Sequence, residues 1–289
     1  MQRKTNNSIL VPIDFSDAAE NALKHAVAIA KLYRNAITLL YVLKGTAFGS
    51  LLSGNQIELI EDALKLKLEL KAKELASSTQ LTVTARIEKG KVYKTIAKIA
   101  NSESFDSIIM GSNGASGLEQ IIGSNSSKTI QLSEVPVVVV KQNTMGVNGY
   151  KKIVLPIDLS IESRQKIDWA IYLGKKFNSE VHVIYTKSND EYLSRKIELN
   201  INLVNHHLKE SGIQFLVSGL DHNLLVNFAT KTLKYSNAIK ADLILVMTHT
   251  EKEVSEIVIG TLTQQLVNRS EKIPIMCIHP HQLGYTYDY

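Results

Sequence analysis

Ile9-Leu10-Val11-Pro12-Ile13-Asp14-Phe15-Ser16 returns later in the chain as Ile153-Val154-Leu155-Pro156-Ile157-Asp158-Leu159-Ser160. Three more pairs follow in the same order and at close spacings. Asp106-Ser107-Ile108-Ile109-Met110 returns as Asp242-Leu243-Ile244-Leu245-Val246, Gly123-Ser124 as Gly260-Thr261, and Val135-Pro136-Val137 as Ile273-Pro274-Ile275. Four matches in one order identify a tandem duplication. Each half of the 289 residues is then a folding unit, long enough to bury a core of its own. We expect a first domain over 1–142 and a polar linker over 143–150 containing Gly146 and Gly149. A second domain then covers 151–282, with a tail over 283–289.

Within a copy, strands alternate with helices. Ile9 to Ile13 is a short continuous apolar run, as expected of a strand covered on both faces. Ser16 stands where a helix cap belongs, with Asp17 and Glu20 in the first turn to complement the dipole. Ala19, Ala22, Leu23, Ala26, Ile29, Ala30 and Tyr33 recur at helical spacing, and Asn35 ends the helix. Ile37 to Val42 is a second buried strand. Ile57, Ile60, Leu64, Leu68 and Leu75 form the stripe of an amphipathic helix. Leu81 to Glu88 alternates like a more exposed strand, Val92 to Ser102 is helical, and Ser107 to Met110 and Val137 to Val140 complete five strands. The second copy repeats the plan. The expected class is α/β: two tandem doubly wound domains, each a five-stranded parallel sheet flanked by helices.

Charge and cysteine content narrow the function classes. The net charge of +5 raises a nucleic-acid reading, but the basic residues are spread along the chain and mixed with acids. In the densest stretch, Lys65 to Lys73, the pairs Glu61/Lys65 and Glu69/Lys73 suit a solvated helical face. We expect no nucleic-acid partner. No run reaches the roughly 20 apolar residues of a membrane helix, so we expect no membrane association. A polar N-terminus and one cysteine, Cys277, suit a reducing compartment, and we expect the cytoplasm.

In a doubly wound sheet, ligands bind beyond the carboxyl ends of the strands where strand order reverses. The turn after the first strand offers Asp14, and Asp158 in the second copy, with no glycine-rich dinucleotide or Walker-type sequence. Asp14 could accept hydrogen bonds from ribose hydroxyls, or simply support the helix start that follows. After the fourth strand comes Gly111-Ser112-Asn113-Gly114-Ala115-Ser116-Gly117, and then Gly123-Ser124-Asn125-Ser126-Ser127 opens a helix with Ser124 at the cap position. Such glycines can form an anion-binding nest of backbone amides, or only a turn.

These residues, Val11-Pro12-Ile13-Asp14, Gly111-x-x-Gly114 and Gly123-Ser124, resemble the universal stress protein family, and the resemblance covers nearly all of both halves. It implies strand order 3-2-1-4-5 in each copy and ATP or a related adenine nucleotide, with magnesium, bound to the first. By position, Pro12, Asp14 and Val42 would line the adenosine side. Met110, Gly111, Gly114, Gly123, Ser124 and Asn125 would line the phosphate side. Such proteins dimerise through their last strands, so a tandem chain resembles a covalent pseudo-dimer in which Pro136 to Val140 pairs with Pro274 to Ile278; a further homodimer and an unidentified protein partner remain open.

The chain departs from the family pattern twice. Ala115 to Ile122 is eight residues where the family has nine. In the second copy Met247 and Thr250 replace both motif glycines, and Glu251 and Glu253 would repel phosphate, so we expect no nucleotide there. Two functions follow: a nucleotide-binding signalling module, or a nucleotide-free scaffold of the same family. No catalytic triad or spaced carboxylate pair is visible, so no enzyme is expected. His206-His207 lacks a third ligand and reads as surface, and no metal site is expected. Cys277 and Trp169 read as core, and His249 lies in the turn after the second copy's fourth strand.

Overall fold

The computed structural model describes residues 7–44, 54–103, 105–112, 123–142, 149–158, 165–221, 225–248 and 261–279. The chain divides into two compact units, the first within Lys4–Asn143 and the second within Thr144–Tyr289.

In the first unit β1 (Ser8–Pro12), β2 (Ala36–Leu43), β3 (Val83–Lys89), β4 (Ser107–Gly111) and β5 (Val137–Val140) alternate with α1 (Asp17–Tyr33), α2 (Gly54–Thr79), α3 (Val92–Ser102) and α4 (Ser124–Leu132). The second unit contains β6 (Lys152–Pro156), α5 (Gln165–Phe177), β7 (Glu180–Thr186), α6 (Glu191–Ser211), β8 (Gln214–Leu220), α7 (Phe228–Ala238), β9 (Leu243–Met247), α8 (Thr261–Arg269) and β10 (Ile275–Ile278). Strand order is β3-β2-β1-β4-β5 in the first and β8-β7-β6-β9-β10 in the second, the expected 3-2-1-4-5 in both. The pairings within each unit are parallel.

The central strands form because their apolar runs are covered on both sides: Ile9, Leu10 and Val11 are buried, as are Ile153, Val154 and Leu155. Helix α1 starts where the Ser16 hydroxyl accepts a hydrogen bond from the Ala19 amide at 3.3 Å. It ends at Arg34, left-handed at φ 53°. Asn178, at the matching point of the second copy, has φ 49°. The buried Ala22, Ala26 and Ala30 keep the face of α1 thin.

The duplication extends to single hydrogen bonds. Asp106 Oδ2 accepts from the amide of Ser8 at 3.2 Å, and Asp242 Oδ2 from the amide of Lys152 at 2.8 Å, each fixing the start of a central strand. Ser133 Oγ donates to Val135 O and Ser270 Oγ to Ile273 O. Cys277 and Trp169 are buried, and His206 and His207 are exposed. On α2, Glu61 pairs with Lys89 of β3 at 2.6 Å and Lys71 with Glu20 of α1 at 2.7 Å. Glu61 therefore spans two elements where the sequence suggested an i,i+4 pair with Lys65.

Candidate functional site

The order reverses between β1 and β4, and the residues singled out in the first copy lie at or beyond the carboxyl ends of β1, β2 and β4 and at the start of α4. Pro12 closes β1, half-buried, opposite Leu40. Asp14 is exposed just beyond it. Val42 stands one residue before the end of β2, and Met110 and Gly111 end β4 against Val139 and Val140. Gly114, most of its loop and residues 249–260 lie outside the described residues.

Asp14 organises the turn after β1. Its Oδ1 accepts from the Ser16 amide at 3.0 Å and the Ser16 hydroxyl at 2.5 Å. This is an Asx-turn feeding a helix cap, so the carboxylate supports the start of α1 while remaining exposed. Between the two, Phe15 takes φ +61°, a conformation that costs a bulky residue of order 1–3 kcal/mol. Its ring packs 5.6 Å from that of Tyr41, with Lys67 Nζ 4.0 Å from the Phe15 centroid. Sequence reasoning missed Phe15, Tyr41 and Lys67 because their contact joins three separate elements. The Asp-x-Ser spacing was the one local signal.

Gly111 is a glycine for packing reasons. A Cβ there would lie 2.7 Å from the backbone carbon and oxygen of Ala18, so the end of β4 runs against the first turn of α1. The start of α4 is tied to the same place. The Gly123 amide donates to Ser112 O at 2.7 Å, and the buried Ser126 hydroxyl donates to Gly111 O at 3.0 Å and Ser112 O at 3.3 Å. The cap residue is Gly123, with φ −58° and ψ 144°, and no side chain caps α4. Ser124, expected at the cap, is the first helical residue and exposed, and Asn125 is half-buried. The shift arises because Ser126, not Ser124, anchors the helix. Its counterpart is Thr263, whose hydroxyl donates to Met247 O at 2.7 Å.

The second copy fills the corresponding rim differently. Met247 is buried where the first copy has Gly111. Asp158 is half-buried, and its backbone carbonyl accepts from Asn200 Nδ2 at 3.1 Å. At the place of Ala22 stands Lys166, fully buried, its ammonium donating to Pro156 O at 2.5 Å. Burial pulls its pKa down to about 8, with the Asp158 charge opposing. Register comparison of the two copies could have found it, since the left-handed residues that close the two helices, Arg34 and Asn178, keep the same offset as the strands. Among the described residues no group of three His, Cys, Asp or Glu could hold a metal ion, and no helix is long and apolar enough to cross a membrane.

The universal stress protein family model matches residues 5–141 and 149–210. Two universal stress proteins of Methanocaldococcus jannaschii are similar. MJ0577 is 37% identical over 152 residues, covering 46% of this chain and 94% of the relative. MJ0531 is 32% identical over 138 residues, covering 46% and 81%. A solved universal stress protein from Archaeoglobus fulgidus DSM 4304 aligns over 96% of this chain and all of that one, with TM-score 0.79 at 19% identity, a likeness of fold.

Proposed function

The chain belongs to the universal stress protein family, and on that premise we propose that its first copy binds an adenine nucleotide, ATP or AMP, with magnesium, and serves as a stress-response signalling module. One observation carries this reading: the start of α4, without a side-chain cap, is held at the end of β4 by Ser126 and Gly123, on the rim that also presents the exposed Asp14. Helix-start amides suit phosphate. An exposed carboxylate beyond β1 suits ribose hydroxyls. Pro12, Val42, Met110, Gly111, Gly114, Ser124 and Asn125 complete the proposed lining. The nucleotide acts by binding two conformations of the first unit with different affinity. We assign no catalytic step.

The second copy takes no nucleotide in this reading, because Met247 and Thr250 replace both motif glycines and the fully buried Lys166 stands at the place of Ala22. The competing reading, a nucleotide-free scaffold, rests on the eight-residue spacing from Ala115 to Ile122. Amide hydrogen exchange on the full chain with and without MgATP separates the two. Added protection at β1, β4 and the start of α4, with none in the second unit, supports the nucleotide reading. Unchanged exchange at saturating nucleotide selects the scaffold.

A further inference from the structure

The turn that carries Asp14 is strained and is held from outside. Asp14 Oδ1 accepts from both the Ser16 amide and the Ser16 hydroxyl, and among the described residues no donor reaches Oδ2. That turn closes through Phe15, whose left-handed φ of +61° is a conformation that a bulky residue keeps only where its surroundings impose it. Two side chains from other elements impose it. Tyr41, beside Val42 on β2, packs its ring 5.6 Å from that of Phe15, and Lys67 of α2 sets its ammonium 4.0 Å from the Phe15 centroid. Lys67 is exposed, and among the described residues its ammonium pairs with no carboxylate, so the ring is what it holds.

The second copy supports the same turn from the same helix position with different chemistry. With the buried Leu68 of α2 laid on the buried Ile201 of α6, Lys67 falls on Asn200. Asn200 Nδ2 donates at 3.1 Å to the backbone carbonyl of Asp158, the counterpart of Asp14. Lysine and asparagine share little, yet each reaches the turn after the first strand of its own copy. The position itself is therefore a support for that turn.

We infer that Lys67 is a positioning residue for ribose recognition: through the Phe15 ring it fixes the turn so that Asp14 Oδ2 meets a ribose hydroxyl, and the first copy prefers ribonucleotides to their deoxy analogues. The inference rests on the nucleotide reading. Lys67 touches no ligand in it and acts through Phe15 on Asp14. A charge-assisted hydrogen bond to the hydroxyl sets a preference of about tenfold or more. The share that Lys67 governs is about two- to fivefold, the size of an exposed cation–π contact.

Calorimetric titration of the full chain with ATP and with the two analogues lacking one ribose hydroxyl each, magnesium present, tests the inference. Wild type should bind ATP more tightly than at least one analogue. Lys67→Met should shrink that ratio about two- to fivefold, whereas Lys67→Arg, which keeps a cation over the ring, should preserve it. Lys71→Met breaks the neighbouring ion pair of α2 with Glu20 without touching the ring, and should leave the ratio at its wild-type value. Unchanged circular dichroism confirms that each variant folds. A ratio unmoved by Lys67→Met, or lowered as much by Lys71→Met, overturns the inference and leaves the nucleotide reading standing. So does wild-type binding with no preference for either hydroxyl. No binding of any of the three nucleotides overturns the reading and the inference together.

Discussion

The ammonium of Lys166 donates a hydrogen bond to the carbonyl oxygen of Pro156 at 2.5 Å, in the place where the first copy keeps the methyl of Ala22. A four-carbon stem and a charge are thus packed against the end of β6, while the first copy has the buried Ala22 at the matching position of α1. Lys166, with Met247 in place of Gly111, separates the interiors of the two rims.

Because the folded pKa of Lys166, about 8, lies below the ordinary 10.5, the unfolded chain holds more protons than the folded one between those values. Stability of the second unit therefore rises with pH across that window, and the penalty is fully present below it. Lys166→Met should raise the unit's stability at pH 7 by on the order of 1–3 kcal/mol, a gain that vanishes near pH 10.5. Urea titration followed by the fluorescence of Trp169, the sole tryptophan, measures it. A gain independent of pH would contradict the assignment.

His25 gives the first unit a vulnerability of the same sign at lower pH. Buried in α1, its pKa is pushed from 6.5 to about 3, so the folded state keeps it neutral. The stability it contributes is complete above pH 6.5 and is lost as the pH falls towards 3, by up to about 1.4 kcal/mol per unit. His25→Phe should flatten that acid slope, read by amide exchange in α1. Trp169 occupies the matching position in the second copy, so an aromatic ring suits the site.

Gly111→Ala should weaken the first unit by roughly 1–3 kcal/mol, because the new methyl meets the backbone of Ala18. Denaturant midpoints without nucleotide measure this. No loss of stability would mean that the glycine answers to a ligand alone.

Ser126→Ala removes the hydroxyl bonds to Gly111 O and Ser112 O and should cost about 1 kcal/mol. If α4 is placed for phosphate, nucleotide affinity should fall as well, whereas Ser126→Thr, copying Thr263, should keep it. Equal affinity in all three proteins would detach α4 from binding.

The repeat and most elements were legible in the sequence because buried strands and amphipathic helices write their periodicity locally; the strand order was implied by the family resemblance. Ser16 announced its cap through its own neighbours. Ser126 did not, since a run of serines looks alike until one hydroxyl is buried against Gly111 O. Phe15 was invisible for another reason: its left-handed backbone and its contacts with Tyr41 and Lys67 join the β1–α1 turn, β2 and α2 only after folding. Gly111 was noticed as a potential ligand contact, and the structure adds Ala18 as a neighbour that requires it. Lys166 needed the two helices laid in register before its burial had meaning.

The central claim is a single nucleotide site in the first copy. Calorimetric titration of the full chain with ATP and AMP in the presence of magnesium, beside Gly114→Val, tests it most directly. The account predicts saturable binding near one nucleotide per chain, abolished by the substitution. Binding at two sites, or none at millimolar nucleotide, would contradict it.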